Sequence, residues 1–153
     1  MSIVVRKAES PGERLAAWRI RERVFIGEQG IADAIERDGL DDIASHLLAW
    51  DRGAAVGTVR VVGFDAEHRP APLAEATAVK IGRMAVLAPK RRLGIGRRLL
   101  EAALELARQS GPRRAELSAQ EYVIGFYEHA GFRVEGDPYV EAGIPHRRMS
   151  REL

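Results

Sequence analysis

The sequence contains no cysteine among its 153 residues. This absence excludes disulfides, thiolate metal sites and a cysteine nucleophile within the chain. Aromatic residues make up only 6% of the sequence and the net charge is only +2, so neither base stacking nor a basic surface is indicated. No apolar run is long enough to span a bilayer. We therefore expect neither a nucleic-acid partner nor a membrane partner.

The composition is typical of a globular protein, with 46% hydrophobic and 30% charged residues. We expect a single domain over residues 1–153, which at this length buries roughly two-thirds of the surface exposed by the unfolded chain. The first ten residues lack the apolar run of a signal peptide, so a cytoplasmic location is expected. No metal site is expected, because metal-ligand spacing is missing among the histidines: His46, His68, His129 and His146.

Local patterns predict a chain in which strands and helices are mixed. Ser10, Pro11 and Glu13 have the types and spacing of a helix start, and Gly111 and Gly131 those of helix ends. One helix is predicted to begin at Ser10, and two more cover residues 94–109 and 121–130. The predicted strands cover residues 3–6, 46–50, 54–63, 78–87, 114–118, 132–135 and 146–152.

The order of these elements predicts the fold class. The strand–helix–strand unit over residues 78–118 should form a right-handed parallel crossover, whereas the remaining strands look antiparallel. We therefore expect an α/β fold of the mixed α+β kind. Its centre is a mixed, mostly antiparallel sheet of about six to seven strands, flanked by helices.

The segment Arg91-Arg92-Leu93-Gly94-Ile95-Gly96-Arg97-Arg98 lies between a predicted strand and a predicted helix. Its two glycines permit a tight turn and leave room for a ligand to approach the backbone. The helix that follows directs unpaired N–H groups and the positive end of its dipole at the turn. Four arginines surround the same place, so the segment predicts a binding site for a phosphorylated ligand.

Three phosphate-binding motifs compete for this segment. A P-loop requires Lys-Ser/Thr after its second glycine, but Arg97 and Arg98 follow Gly96. A dinucleotide fingerprint requires a small residue where Leu99 stands, and too little sequence follows the turn to form a doubly wound sheet. The one feature in favour of this motif is Glu116, which stands where a ribose-binding acid is expected. Coenzyme A is the third candidate ligand.

Residues on both sides of the turn match one acyltransferase family. Arg91, Gly94 and Gly96 fit Gln/Arg-x-x-Gly-x-Gly/Ala, residues 81–86 precede them as a strand, and residues 125–132 contain FYxxxGF. In these segments, which span the C-terminal half, the chain resembles the GNAT acyltransferases. The resemblance implies the GNAT fold, in which residues 81–86 form the fourth strand.

The chain further resembles the ElaA-type subgroup of this family, with matches that run nearly from end to end. At Ala142 the subgroup pattern has an acid, and at Arg92-Leu93 many family members have an early glycine. We expect the first departure to alter the acceptor site and the second to stiffen the phosphate turn. The matching segments are VFIGEQ at 24–29, Asp38-Gly39, His46, LSAQ at 117–120, EAGIPH at 141–146, and Met149.

The resemblance implies transfer of an acetyl group from acetyl-CoA to a primary amine, without a metal. Backbone N–H groups of the turn would hold the diphosphate, and pantetheine would lie along Met84, Ala85 and Val86. An N–H group there, near a bulge, would stabilise the oxyanion. The expected turn residues are Arg91, Arg92, Leu93, Gly94, Ile95, Gly96 and Arg97.

The chemistry requires an amine that has lost its proton, yet alkylamines are mostly protonated at neutral pH. Glu28 and His46 are the candidate general bases, and Glu116 is a further one. Tyr127 matches the family position that protonates the leaving thiolate and also lies near the bound cofactor. Since a cysteinyl intermediate is impossible, direct transfer in a ternary complex is favoured.

Charged residues near the proposed acceptor side suggest the kind of amine. The carboxylates of Glu28, Asp38 and Glu141 favour a small cationic acceptor. Arg83 is expected to pair with a carboxylate inside the fold, and Phe126 is expected in the core. The alternatives are a non-catalytic, CoA-binding regulatory domain and a relative of the acyl-homoserine-lactone synthases. A homodimer is compatible with the sequence, which sets no oligomeric state.

Overall fold

The computed structural model describes residues 2–153. The helices are α1 (Pro11–Arg21), which continues as a π-helix over Glu22–Glu28, α2 (Asp33–Glu36), α3 (Ile95–Ser110) and α4 (Ile124–Glu128). The strands are β1 (Ile3–Lys7), β2 (Ser45–Asp51), β3 (Ala54–Phe64), β4 (Pro70–Ala71), β5 (Ala78–Val86), β6 (Arg114–Gln120), β7 (Arg133–Glu141) and β8 (Ile144–Glu152).

These strands form one sheet in the order β1-β2-β3-β5-β6-β8-β7, and the short β4 pairs with β3. Among the strands of residues 2–153, only β5 and β6, the two strands that α3 connects, are parallel. The structure therefore confirms the predicted mixed, mostly antiparallel sheet flanked by helices. The prediction placed β4 in a loop because this two-residue strand begins with Pro70 and is followed by Pro72.

The predicted boundaries are least accurate after β6. The helix predicted over residues 121–130 divides into a 3₁₀ turn at Glu121–Val123 and the short α4. Strand β7 continues to Glu141, although Gly136 and Pro138 resemble strand breakers. A bulge near Gly136, whose φ is +72°, absorbs the irregularity, so the pairing with β8 resumes beyond it.

Helix α1 begins as its capping signals predict. The Ser10 side chain accepts a hydrogen bond from the Glu13 N–H at 3.1 Å, and Pro11 occupies the first turn. Ala17, Ile20 and Val24 then face the sheet and form a small core with residues of β2 and β5. This face of the sheet is called the α1 face below.

The main core lies on the opposite face of the sheet, beneath α3. Leu99, Leu100 and Ala103 are among the buried residues of this helix. The helix approaches β3 closely at Gly57, where a Cβ atom would lie 3.0 Å from Leu99 Cδ1. We call this side of the sheet the α3 face. The close packing beneath α3 fixes where the helix begins, and therefore where its free N–H groups point.

The central feature of the sheet is the divergence of β5 from β6. Their pairing is limited to Ala78–Lys80 with 114–116, and beyond these residues the two strands separate. Strand β5 remains paired with β3 as far as Val86. The edge of β5 that faces β6 is therefore open along its second half, and this opening is called the splay below.

The hairpin between β7 and β8 turns through two residues with positive φ, Ala142 at +52° and Gly143 at +75°. This is the geometry of a type I′ turn, whose first position favours Asn or Gly. Alanine in the left-handed region suffers a Cβ clash that asparagine relieves by local hydrogen bonding.

Ala142→Asn should therefore raise the free energy of unfolding by about 0.5–1 kcal/mol. Urea denaturation of the two proteins measures the change. Ala142→Val, which adds β-branching at the same φ, should lower stability instead. A turn without backbone strain would give both variants the stability of the parent protein.

Candidate active site

The turn before α3 offers free backbone donors at one end of the splay. Gly94 is the N-cap of α3 in the left-handed conformation, with a φ of +80°, and the first helical bond runs from the Arg98 N–H to the Gly94 carbonyl. The N–H groups of Ile95, Gly96 and Arg97 belong to the first turn and have no carbonyl partner within the helix. No atom would lie within 4 Å of a Cβ at Gly94, so the turn is open to a ligand.

Three of the four arginine side chains around this turn are bound to other groups. Arg91 donates to the Val86 carbonyl at 2.9 Å and to Glu28 at 2.8 Å. Arg97 pairs with Glu101 on the exposed face of α3. Arg98 donates to the Ile3 carbonyl at 2.7 Å. The backbone of the turn, supported by nearby positive charge, is therefore the better-formed anion site.

The open edge of β5 leads from this turn into the splay. The Leu87 N–H donates to the Val56 carbonyl of β3, so the backbone groups of Val86 point the other way, into the splay. Met84 lies two residues earlier on the same edge. A Cβ at Gly96 would lie 3.7 Å from Met84 Sδ and 3.7 Å from Phe126 Cζ, so both side chains lie beside the first turn of α3.

A bulge lies at the inner end of this edge. Arg60 of β3 faces Gly82, whereas Thr58 faces Ala85, so β5 contains one extra residue there. Arg83 adopts a φ of +51° at the bulge. A bulge re-aims the backbone N–H groups beside it, which is the arrangement that an oxyanion site requires.

Tyr127 on α4 lies against the main core, next to Phe126. Its ring makes edge-on contacts with Phe126 at 5.0 Å and with Phe132 at 6.1 Å between ring centroids. Burial, with a smaller effect of Tyr122, raises the pKa of Tyr127 to about 12. The hydroxyl therefore stays protonated at neutral pH and can donate a hydrogen bond. Phe126 is 37% exposed, which corrects its predicted place in the core.

A buried ionic network lies on the α1 face, beneath the segment 33–44. Arg21 donates to Glu36 at 2.5 Å and to Asp41 at 2.8 Å, and the side chains of Arg21 and Glu36 are almost fully buried. Burial opposes the charge of Arg21, but these two carboxylates outweigh it and raise the pKa of its guanidinium. The network therefore holds the segment against the sheet through charged, buried contacts.

Asp38 belongs to the same network. Arg60 donates to its two carboxylate oxygens at 2.8 and 2.6 Å, and Arg83 donates to one of them at 3.2 Å. Burial would raise the pKa of Asp38, but the Arg60 guanidinium lowers it well below its usual range. Arg83 thus pairs with a carboxylate, as predicted. Asp38 is neutralised by arginines, which removes it from the charges expected to attract a cationic acceptor.

The two principal base candidates have well-defined positions. His46 is buried on the α1 face, where its Nε2 atom lies 3.0 Å from the Asp41 carbonyl and burial lowers its pKa. Glu28, at the end of the π-helix, is held by Arg91. Within residues 2–153, neither the Glu28 nor the His46 side chain is hydrogen-bonded to Tyr127. Glu116 is the last residue of β6 that pairs with β5, so it lies where the splay begins.

A second polar group lies across the splay on β6, β7 and β8. Ser118 contacts the Tyr139 hydroxyl and donates to Glu141 Oε2 at 3.2 Å. Glu141 Oε2 lies 3.6 Å from His146 Nε2, and the Tyr139 and His146 rings stack 6.0 Å apart. We call these four residues the distal cluster. The sequence indicated Glu141 and His146 through the subgroup segment, but not the contact with Ser118.

The distal cluster adjoins two further features. Gln120, at the end of β6, donates to the Gln29 side chain at 3.1 Å and so links the two sides of the splay. An open depression of about 400 Å³ is lined by Glu121, Tyr122, Ile144 and Pro145. A substrate could therefore place an apolar body beside the distal cluster.

Over residues 2–153, no three His, Asp or Glu side chains are grouped as ligands for a metal ion. None of the helices in that range combines the length and the apolar composition needed to cross a bilayer.

The sequence model described as "Acetyltransferase (GNAT) domain" matches residues 19–153. The chain belongs to the GNAT acetyltransferase family. It is 30% identical to protein ElaA of Escherichia coli over 94% of this chain and 90% of ElaA. This GNAT chain superposes on the crystal structure of E. coli ElaA with a TM-score of 0.83, at 28% identity, over 99% of this chain and all of ElaA.

A solved acyl-CoA N-acyltransferase from Pseudomonas aeruginosa is also similar. It has a TM-score of 0.79 and 30% identity, and 98% of each chain is covered. The predicted resemblance to the GNAT family and to its ElaA-type members is thereby confirmed. The protein is an acyltransferase of this family, which also confirms the predicted enzyme class.

Proposed function

We propose that this GNAT enzyme transfers an acetyl group from acetyl-CoA directly to a primary amine in a ternary complex. The observation that carries the proposal is the splay, because one end meets free N–H groups at the start of α3 and the other meets the distal cluster. A cofactor and an acceptor can then meet between the two strands from opposite faces of the sheet.

The phosphate turn and β5 would hold CoA. The N–H groups of Ile95, Gly96 and Arg97 and the helix dipole attract the diphosphate. Pantetheine would enter between Met84 and Phe126 and bond to the open backbone edge at Val86. That carbonyl now accepts from Arg91, so the arginine would release it or share it when the cofactor binds.

The bulge and Tyr127 would serve the reacting thioester. An N–H group beside the bulge at Arg83 would bind the oxygen that becomes negative in the tetrahedral intermediate. Since Tyr127 stays protonated, it acts as a hydrogen-bond donor to the leaving thiolate. Both groups act on charge that develops during the reaction, so they favour the transition state over bound substrate.

The acceptor would approach from the α1 face of the splay. Glu141 is 49% exposed and Glu121 lines the neighbouring depression, so two carboxylates remain to attract a small cationic amine. The depression would hold the apolar part of the acceptor beside them.

An amine panel with acetyl-CoA, read by released CoA, tests the proposal. Acetylation of at least one amine is expected, and Tyr127→Phe should lower kcat about 10–100-fold, because a hydrogen bond to a charged group is lost. The KM for acetyl-CoA should change little. Ser110→Ala, which removes a hydroxyl bonded to the Leu106 carbonyl at the far end of α3, is the control and should retain kcat.

A non-catalytic CoA-binding domain predicts a different outcome. It would bind CoA but release none with any amine, and Tyr127→Phe would be silent. That result would reject the enzyme proposed here while leaving the phosphate turn intact.

A further inference from the structure

We propose that Ser118 and Glu141 form a proton relay that deprotonates the acceptor ammonium. His146 lies next to Glu141 and can accept a hydrogen bond from it once Glu141 is protonated. This inference depends on the proposed N-acetyltransferase function and assigns the base that the reaction requires. In this assignment Ser118 touches the acceptor, and Glu141 acts through Ser118.

The place of Ser118 in the sheet supports this role. Lys80 and Glu116 are the last residues that pair β5 with β6. Ser118 lies two residues beyond Glu116, or about 7 Å along the strand, and the bulge at Arg83 lies three residues beyond Lys80. Ser118 and the proposed oxyanion site are therefore at similar depth in the splay.

The direction of Ser118 also fits an acceptor. Leu117 and Ala119 are buried in the main core beneath α3, so Ser118 points to the opposite, α1 face. The cofactor turn lies on the α3 side, and an amine that attacks the thioester from the other side meets Ser118. Across the opening, Gly82 leaves that face clear, because a Cβ there would have no neighbour within 4 Å.

The hydrogen bonds of the distal cluster give the relay its direction. The Ser118 hydroxyl donates to Glu141 Oε2, so in its contact with Tyr139 the tyrosine donates to Ser118 Oγ, and one lone pair of that oxygen remains for an N–H group of the substrate. His146 Nδ1 lies 2.7 Å from the Ile144 carbonyl and donates to it, so Nε2 of the neutral ring is an acceptor. That Nε2 faces Glu141 at 3.6 Å and can receive a hydrogen bond once Glu141 is protonated.

The proton balance is complete without another reagent. The ammonium gives one proton to Ser118 Oγ, the Ser118 proton passes to the Glu141 carboxylate, and Glu141 releases it to solvent, to which it is half exposed. The amine lone pair then forms the N–C bond, and the C–S bond breaks with its electron pair on sulfur. The amide nitrogen loses its second proton and the thiolate gains one, both through solvent.

Two acceptors of similar shape separate a relay from a binding role. Ethylamine is mostly protonated at pH 7.5, whereas 2,2,2-trifluoroethylamine is mostly neutral because fluorine withdraws electrons. Ser118→Ala keeps every charge of the cluster but breaks the relay. We expect it to lower kcat for ethylamine about 100-fold and to leave kcat for trifluoroethylamine within about threefold of the parent enzyme. Glu141→Gln should show the same selective loss.

One control variant and two contrary outcomes separate failure of the relay from failure of the transferase proposal. Ser110→Ala, which removes a hydroxyl bonded to Leu106 at the far end of α3, should leave both rates unchanged. Equal losses with the two amines, or a change confined to KM, would overturn the relay and leave the transferase proposal standing. A parent enzyme that acetylates neither of these amines nor any member of the panel would overturn both.

Discussion

Replacing Glu36 with alanine should lower the free energy of unfolding by about 3–5 kcal/mol. Glu36 is 2% exposed and accepts a hydrogen bond from Arg21, which is 1% exposed. Within residues 2–153, the substitution leaves the buried guanidinium of Arg21 with one carboxylate partner, Asp41. Urea denaturation, read as the midpoint at constant m-value, measures the effect.

Glu105→Ala is the matched control. Glu105 pairs with Arg108 on the exposed face of α3, where an ion pair contributes at most about 0.5 kcal/mol. The double replacement Arg21→Met with Glu36→Leu removes both charges and should recover part of the loss. Similar small effects of Glu36→Ala and Glu105→Ala would show that the network does not hold the segment 33–44.

The second large effect is expected at the phosphate turn, where Gly94→Val should weaken CoA binding about 10–100-fold. The φ of +80° at Gly94 is strongly unfavourable for a β-branched residue. The turn must change its conformation to accept valine, and the N–H groups at the start of α3 then lose their common direction. Calorimetric titration with CoA measures the change.

Gly136→Val provides the control for strain alone. Gly136 has a φ of +72° and, like Gly94, no atom within 4 Å of a Cβ position, but it lies on β7 at the far edge of the sheet. The two variants should lose comparable stability, and only Gly94→Val should lose CoA affinity. Equal CoA affinity in both variants would place the diphosphate elsewhere.

The regular parts of the fold could be predicted because their signals are local. Ser10 and Pro11 start α1, Gly111 ends α3, and the valine-rich run Ala54–Phe64 indicates a strand wherever it is placed. The bulge at Arg83 and the hairpin turn at Ala142 could not be predicted from local signals. Arg83 and Ala142 have positive φ values that tertiary pairing imposes on residues without a preference for that conformation.

The candidate site also contains one part that local sequence signals predict and another part that depends on tertiary pairing. The turn from Arg91 to Arg97 is contiguous, so its glycines and the following helix were enough to predict an anion site. The roles of single side chains depend on pairing between distant strands. Ser118 meets Glu141 only because β8 lies between β6 and β7 in the sheet, and the contact of His46 with the Asp41 carbonyl has no signal in the sequence.

Calorimetric titration of the parent protein with CoA tests the central claim most directly, namely that the splay and the start of α3 bind this cofactor. We predict one CoA bound per chain with a dissociation constant in the micromolar range. Affinity should fall as salt rises, since backbone N–H groups and a helix dipole hold the charged diphosphate. Absence of heat at millimolar CoA would contradict the account.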